Sequence, residues 1–303
     1  MRIFENNNFH FIDRRRTGYL ISGILILLSF TSFFINGLEL GIDFKGGREF
    51  VVETTDALDV IEVRAALAAV LDSEPEVKTY GNDGALLVRT VSGQDVSVVQ
   101  NLITSGIAAA FTDSAPTVNK TYIVSPRFAE DLKRGAIYSI LGSLLVIFVY
   151  ILIRFEWRFG VGAVAALFHD VIITLGVFSV MQNILGFSLQ IDQTIIAAFL
   201  TIVGYSLNDT VVVFDRIREY TGLFKSESYD KVVNKSINNT LSRTIITSGT
   251  TLFVVSVLFI FGGEVLRGFA FALIIGILIG TYSSIFVASP LVLELRNVAA
   301  KKR

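Results

Sequence analysis

The sequence has 303 residues, of which 52% are hydrophobic, and its formal net charge is −1. A charge so close to zero provides no global field to attract nucleic acid, and the absence of cysteine excludes disulfides, thiolate metal sites and a cysteine nucleophile. The hydrophobic fraction exceeds the about 45–50% of soluble domains, and it is gathered in long runs that indicate a membrane protein.

The first apolar run extends from Tyr19 to Ile35, directly after the basic patch Arg14–Arg16. It is longer than the roughly 7–15 residues of a signal-peptide core, and it shows no small-x-small cleavage site. We therefore expect this run to be retained as a membrane anchor.

Six segments qualify as membrane-spanning helices, which need about 20 mostly apolar residues. The predicted spans are residues 18–36, 135–153, 159–181, 192–214, 245–263 and 268–293. The fourth is more polar than the others and is expected to cross inside a bundle. The sequence thus predicts a polytopic α-helical membrane protein with a bundle over residues 135–293 and tails at 1–17 and 294–303.

Lysine and arginine are concentrated on one side of these spans, which predicts that this side is cytoplasmic. It holds Arg2, Arg14, Arg15, Arg16, Arg154, Arg158, Arg216, Arg218, Lys225, Lys231, Lys235, Arg243, Arg296, Lys301, Lys302 and Arg303. The short loops of the other side, 182–191 and 264–267, hold only Arg267. Segment 37–134 is exempt from the count, because large domains cross regardless of charge. Both termini are therefore predicted to be cytoplasmic and 37–134 periplasmic.

Residues 37–134 are predicted to contain an α+β domain of the ferredoxin-like, split βαβ type. The predicted order is strand, helix, strand, strand, helix, strand. Strands are predicted at Phe50–Val52, Val77–Tyr80, Ala85–Thr90 and Thr117–Val124. The two helices are predicted from apolar stripes, the first being Val60, Val63, Leu67, Val70 and Leu71 and the second Val99, Leu102, Ile103 and Ala110. Gly81–Gly84 indicates a hairpin turn. Because the domain has no histidine and no convergent acid cluster, we expect a binding or docking module.

Residues 228–242, between the fourth and fifth spans, predict an amphipathic helix that lies at the cytoplasmic membrane interface. Its apolar face consists of Tyr229, Val232, Val233, Ser236, Ile237, Thr240 and Leu241. A helix at this place could act on the start of the fifth span.

His169 and Asp170 lie inside the third predicted span. Ionisable residues at such depth cost several kcal/mol, so they are functional candidates by default. Asp170 shares a helical face with the small residues Gly162, Ala166 and Thr174, which lets another helix approach it. The alternative is a buried carboxylate that only braces the helix.

A polar stripe on the fourth span consists of Thr201, Tyr205 and Asp209, at i, i+4 and i+8, with Asn208 beside it. Such a stripe can carry a proton or a file of water between helices. The alternative is a set of hydrogen bonds that only joins packed helices.

Arg243 opens the fifth predicted span, and Thr247 and Thr251 continue its face. Polar stripes on consecutive helices indicate that they face each other, which would place Arg243 near Asp209. We expect Arg243 and the threonine hydroxyls to hold the ionised carboxylate, because burial favours a neutral acid and a nearby cation favours a charged one. The alternative for Arg243 is an ordinary flanking charge.

The sixth span carries small residues at every fourth position. They are Ala272, Gly276, Gly280, Ser284 and Ala288. The Gly276-x-x-x-Gly280 step predicts a face for close helix–helix packing.

Several motifs resemble those of the SecF family of protein-export membrane proteins, and the likeness covers nearly the whole chain. They are Gly41–Gly47, Phe155–Arg158, Phe168–Ile172, Gly204–Asp209, Phe214–Glu219, Arg243–Ser248 and Leu266–Phe269. A departure is Lys45, where the family more often has threonine or serine.

The resemblance implies an RND-like half-transporter of the bacterial inner membrane that pairs with SecD beside the SecYEG channel, with YajC and YidC as further partners. It implies that the proton motive force promotes the export of unfolded polypeptides. It also implies that the protein contacts membrane lipids and uses neither a cofactor nor nucleic acid. The expected proton relay is Asp209, Arg243, Asp170, Asn208, Tyr205 and Thr247. The sequence leaves open whether protons or sodium ions are used.

Two other functions stay open on the residues themselves. An RND-type exporter of lipids or small molecules would need a second similar half and a substrate path through the outer domain. A structural scaffold would use its buried charges for folding alone. An enzyme is disfavoured, because the sequence lacks the His-Glu-x-x-His, Gly-x-Ser-x-Gly and phosphate-binding Gly-Lys motifs.

Overall fold

Apolar runs of the sequence form long helices, and the segment between the first two forms strands and shorter helices. The computed structural model describes residues 9–80, 84–182, 184–185 and 187–301. In chain order its elements are α1 (Arg15–Ile35), α2 (Ile42–Lys45), β1 (Gly47–Glu53), α3 (Val60–Ala68), β2 (Glu76–Thr79), β3 (Ala85–Thr90), α4 (Val96–Ala110), β4 (Thr117–Val124), α5 (Pro126–Arg154), α6 (Trp157–Met181), α7 (Gln193–Leu223), α8 (Tyr229–Phe261), α9 (Gly263–Ser283), a π-helical segment (Ser284–Ala288) and α10 (Ser289–Lys301).

Some residues used in the sequence predictions lie outside the described residues. They are Arg2, Lys302 and Arg303 of the basic side, and Gly81, Asn82 and Asp83 of the hairpin turn.

Among the described residues, six helices are long and apolar enough to cross a membrane. They are α1, α5, α6, α7, α8 and the run Val265–Ala299, which joins α9, the π-helical segment and α10. Both ends of the described chain lie at one end of the bundle, where Arg15 pairs with Glu294 at 2.9 Å. We call this end the terminal side, and the opposite end, which carries the strands, the domain side.

Within the described residues, the strands form one sheet in the order β2-β3-β1-β4, with every neighbouring pair antiparallel. Phe50 of β1 lies opposite Val88 of β3 and Thr121 of β4. Leu67 of α3 and Ile103 of α4 are fully buried in the same apolar core as Phe50. This topology confirms the predicted ferredoxin-like fold.

Several spans, α5 and α7 among them, extend further than hydropathy indicates. Helix α5 begins at Pro126, where the Ser125 hydroxyl caps it by accepting from the Phe128 amide. Helix α7 continues to Leu223. Hydropathy identifies the part of a helix that can lie in the hydrocarbon core. The helix itself continues until a capping residue or a helix-breaking residue ends it.

The predicted interfacial helix over 228–242 is wrong as a separate element. Residues Tyr229–Phe261 form one continuous helix, α8, because neither proline nor a glycine pair interrupts the sequence there. The predicted apolar face does exist, but Val233 and Ile237 are buried in the same apolar core as Phe214 rather than exposed at the surface of the bundle. The hydrophobic pattern identified the buried face and did not identify what covers it.

The loop between α6 and α7 attaches to the start of the inserted domain. Leu40 and Ile191 form a parallel bridge, in which the Gly41 amide donates to Ile191 at 2.9 Å and the Ile191 amide donates to Glu39 at 2.8 Å. The next residues form the short helix α2, which the sequence did not predict, and it ends at Gly46 with φ +77°. That conformation explains the glycine there.

The small-residue face of the sixth span packs on α7. A Cβ atom at Gly276 would lie 2.4 Å from side-chain carbons of Ile202, and one at Gly280 would lie 2.9 Å from Ser206 Cβ. The structure therefore places both glycines where two helix backbones approach closely.

Gly276→Ala should lower the free energy of unfolding by about 1–3 kcal/mol, because the added methyl group has no space against Ile202. Thermal unfolding in detergent measures this change. Gly249→Ala on α8 is the matched control, since nothing lies within 4 Å of its Cβ position. Equal midpoints for the two variants would contradict close packing at Gly276.

Candidate functional site

Asp170 on α6 and Asp209 on α7 are carboxylates buried inside the bundle, with 1% and 4% of their surfaces exposed. Neither sits at a helix end, so the backbone amides of their own helices are already used in the helix ladder. Each carboxylate must therefore find donors on neighbouring helices.

Asp170 is held by side chains from two other spans. Its Oδ2 atom accepts from the Ser206 hydroxyl of α7 at 2.5 Å and from the Ser283 hydroxyl of α9 at 2.9 Å. Its Oδ1 atom lies 2.9 Å from His169 Nδ1. The predicted small face also packs closely, because a Cβ at Gly162 would lie 2.8 Å from Val292.

His169 extends this network to the first span. Its Nε2 atom lies 2.9 Å from the Ser22 hydroxyl of α1, which in turn lies 3.1 Å from the Tyr282 hydroxyl of α9. Tyr282 donates to the Gly18 carbonyl at 2.7 Å. The Asp170–His169 network thus connects α1, α6, α7 and α9.

Asp209 receives its hydrogen bond from α8, but not from the predicted residues. The Ser248 hydroxyl donates to Asp209 Oδ2 at 3.3 Å and lies 2.7 Å from the Thr281 hydroxyl of α9. Across the described residues, no ion pair within 4 Å joins Arg243 to Asp209, although the Arg243 charge acts on Asp209 over a longer distance. The expectation that Arg243 and threonines directly hold Asp209 is therefore corrected: a serine does so.

The remaining members of the predicted relay divide into different environments. Tyr205 donates to the Thr251 hydroxyl at 3.3 Å, so the two polar stripes do meet at that point. Thr201 and Thr247 donate to carbonyls of their own helices, four residues back. Asn208 is exposed on the outside of the described chain. The structure brings Tyr205 and Thr251 together and leaves Asn208 apart.

A cavity of about 1180 Å³ lies at the terminal side, between the end of α7 and the first turns of α8. Arg243 and Thr247 are among its lining residues, together with Val212 and Ile246. Arg243 itself is exposed. Ser248, which donates to Asp209, directly follows Thr247 in the sequence.

Sequence reasoning missed Ser248, Ser206 and Ser283, which are the direct donors to the two carboxylates. Thr244 and Ser248 form a buried pair four residues apart, one position from the chosen pair Arg243 and Thr247. One residue turns a helix by about 100°, so the neighbouring stripe faces a different helix. The available signal was this second stripe, which contains no charged residue.

These side chains offer hydrogen bonding and charge. Over the residues that the structure describes, no group of three or more histidine, aspartate or glutamate side chains could hold a metal ion. The network consists of carboxylates, an imidazole and hydroxyl groups, which can hold and pass a proton.

The spanning helices, the inserted ferredoxin-like domain and the intramembrane carboxylates together define a polytopic membrane protein with a buried polar core. The family described as "Protein export membrane protein SecD/SecF, C-terminal" matches residues 106–298, and the "SecD/SecF GG Motif" matches residues 31–57. The chain belongs to this SecD/SecF family of membrane proteins, which confirms the resemblance of its motifs.

Relatives of similar length carry the name "Protein translocase subunit SecF". One from Rhodothermus marinus is 66% identical over 303 residues, covering 100% of this chain and 98% of its own. One from Desulfurispirillum indicum is 43% identical over 295 residues, covering 94% of this chain and 91% of its own.

Solved structures of SecDF proteins share the fold. The crystal structure of SecDF, "a translocon-associated membrane protein", from Thermus thermophilus matches with a TM-score of 0.79 and 36% identity. A SecDF structure in a "Super-membrane-facing form" matches with a TM-score of 0.76 and 34% identity. Both matches cover 98% of this chain and 40% of the SecDF chain, so the chain spans well under half of those proteins.

Ser206→Ala should lower the free energy of unfolding by about 1–3 kcal/mol, because it leaves a buried Asp170 oxygen with one donor fewer. Thermal unfolding in detergent tests this. Ser143→Ala on α5 is the matched control, since the Ser143 hydroxyl donates only to its own helix at Ile140. If both variants unfold at the same temperature, Ser206 does not stabilise the buried carboxylate.

Proposed function

We propose that this chain is the SecF-type subunit of a bacterial protein translocase. It pairs with a SecD-type subunit beside the SecYEG channel, with YajC and YidC as further partners, and uses the proton motive force to promote the export of unfolded polypeptides. Full-length relatives named as SecF translocase subunits and the translocon-associated SecDF structure support this proposal. The buried Asp209–Ser248–Thr281 network beside Arg243 carries the energy-coupling part of it.

The proposed location is the bacterial inner membrane, with both termini in the cytoplasm and the ferredoxin-like domain outside. The arrangement of basic residues supports it, because the terminal side holds nearly all lysine and arginine residues of the short loops. The cavity that contains Arg243 then opens on the cytoplasmic side.

In the proposed mechanism, Asp209 gains and loses a proton within the bundle. When the carboxylate is ionised, the Ser248 hydroxyl donates to it and Arg243 interacts with its charge. When it is protonated, it loses the attraction of Arg243 and becomes a donor itself. Ser248 contacts Asp209 and Thr281 together, so this change alters how α7, α8 and α9 pack.

In the proposed mechanism the Asp170–His169 network also takes part, because it lies next to the Asp209 network. Ser206 lies three residues before Asp209 on α7, and Ser283 lies two residues after Thr281 on α9. A shift between α7 and α9 therefore alters the hydrogen bonds of both carboxylates. The membrane potential contributes about 2.3 kcal/mol per 100 mV for each charge that crosses, enough to shift a two-state equilibrium substantially.

Asp209→Asn should abolish the stimulation of export by the proton gradient and leave assembly with the SecD-type partner intact, because the amide cannot ionise. Export of a translocation substrate into membrane vesicles, with and without a proton gradient, measures this. Asp131→Asn, a substitution of an exposed carboxylate on α5, is the control and should keep full stimulation. Normal stimulation in Asp209→Asn would refute the proposed coupling.

The coupling ion requires a separate experiment. With protons as the coupling ion, a protonophore should remove the export stimulation, and replacement of sodium by choline should leave it unchanged. The same vesicles serve for both treatments. The opposite pattern would identify sodium as the coupling ion.

A further inference from the structure

Charged side chains meet where the ferredoxin-like domain touches the bundle. In the sheet register, Arg89 of β3 lies between Glu49 of β1 and Glu76 of β2. Arg89 donates to Glu49 at 2.6 Å, and its Nη1 atom lies 3.6 Å from Glu76. The same Nη1 atom lies 3.6 Å from Asp192 Oδ2, outside the sheet. A row of alternating charges on the sheet thus reaches the residue that precedes α7.

Asp192 uses its two carboxylate oxygens for different partners. Oδ1 accepts from the Ile195 amide at 2.9 Å and caps the N-terminus of α7. Oδ2 faces the Arg89 guanidinium. Only 12% of the side chain is exposed. A single carboxylate therefore joins the first turn of a membrane helix to the sheet of the outer domain, where the positive end of the helix dipole also favours it.

Glu76 forms a second connection beside the first. Its Oε1 atom accepts from the Ser188 hydroxyl of the α6–α7 loop at 2.8 Å and lies 2.6 Å from Lys78 Nζ. Its Oε2 atom is buried and meets no hydrogen-bond donor within the described residues, and the Arg89 guanidinium lies 3.6 Å from it. Removal of Arg89 would leave Lys78, on the same sheet, to balance the buried carboxylate.

The electrostatics of the two carboxyl groups differ. Burial raises the pKa of Asp192 above its ordinary value, and the hydrogen bond from the Ile195 amide and the positive charges of Lys78 and Arg89 offset only part of this effect. Burial also acts on Glu76, but the Lys78 ammonium and the Arg89 guanidinium outweigh it and hold the Glu76 pKa below its ordinary value. Glu76 therefore keeps its negative charge more readily than an ordinary glutamate, whereas Asp192 loses its negative charge more readily than an ordinary aspartate.

We propose that Asp192 is a positioning residue, paired with Arg89, that ties the orientation of the ferredoxin-like domain to helix α7. The helix that it caps also carries Asp209, 17 residues further along, at about 25 Å for a rise of 1.5 Å per residue. No proline interrupts α7, so one unbroken helix connects the Asp192 cap to Asp209. The role of this connection in export rests on the proposed function, whereas the contacts that form the connection do not.

The absence of native cysteine makes the orientation of the domain measurable. Ser105→Cys on the exposed face of α4 and Val265→Cys at the start of α9 accept spin labels, one on the domain and one on the bundle. The labelled full-length chain is reconstituted with its SecD-type partner in lipid vesicles. Double electron–electron resonance spectroscopy then gives the distribution of distances between the two labels.

Asp192→Asn separates the ion pair from the cap, because asparagine caps helices about as well as aspartate but carries no charge. We expect it to broaden the distance distribution and shift part of it to longer distances. Asp59→Asn is the matched control: Asp59 caps α3 inside the domain, and its side chain accepts from the Ile61 and Glu62 amides. This control should leave the distribution unchanged.

Substitution of Arg89 tests the charge from the other side. Arg89→Gln should broaden the distribution as Asp192→Asn does, and Arg89→Lys should restore most of the narrow distribution. An unchanged distribution in Asp192→Asn, or equal effects of glutamine and lysine at position 89, would overturn the proposal. These distances do not depend on export, so a negative result here is separate from the outcome of Asp209→Asn.

Discussion

A carboxylate inside a membrane bundle must find hydrogen-bond donors on other helices, and this constraint organises the structure. Asp170 takes hydroxyl donors from α7 and α9, and through His169 it is connected to α1. Asp209 takes its donor from α8, which is connected to α9 through Thr281. An unpaired carboxylate in hydrocarbon costs several kcal/mol. The helices are therefore held at the positions where both acids are satisfied.

The helix that carries Asp209 has a distinct contact at each end. At the domain side it is capped by Asp192, which faces the sheet. At the terminal side it borders the cavity that Arg243 lines. The buried carboxylate lies between these two contacts. Helix α7 thus connects the outer domain to the opposite membrane face.

The sequence predicted the number of spans, the inserted ferredoxin-like fold and Asp170 and Asp209 as buried acids, because hydropathy, strand alternation and misplaced charge are strong local signals. The donors to these acids were not predictable in the same way. Ser248 and Thr247 are neighbours in sequence, and hydropathy cannot determine which of them faces α7. Residues 228–242 show the same limit, because an apolar stripe looks alike whether lipid or protein covers it. Position in the assembled bundle decides both cases.

The π-helical segment divides the small-residue stripe of the sixth span between two neighbours. Before it, Gly276 and Gly280 contact α7, whereas the Ala288 carbonyl at its end lies 3.1 Å from the Cβ position of Gly162 on α6. The Ser289 hydroxyl donates to the Ser284 carbonyl at 2.7 Å and occupies the widened turn. A π turn holds one residue more than an α turn. When this chain is aligned with a relative whose sixth helix is uninterrupted, a one-residue gap belongs within 284–288, and placing it elsewhere would assign the wrong residues to each helix contact.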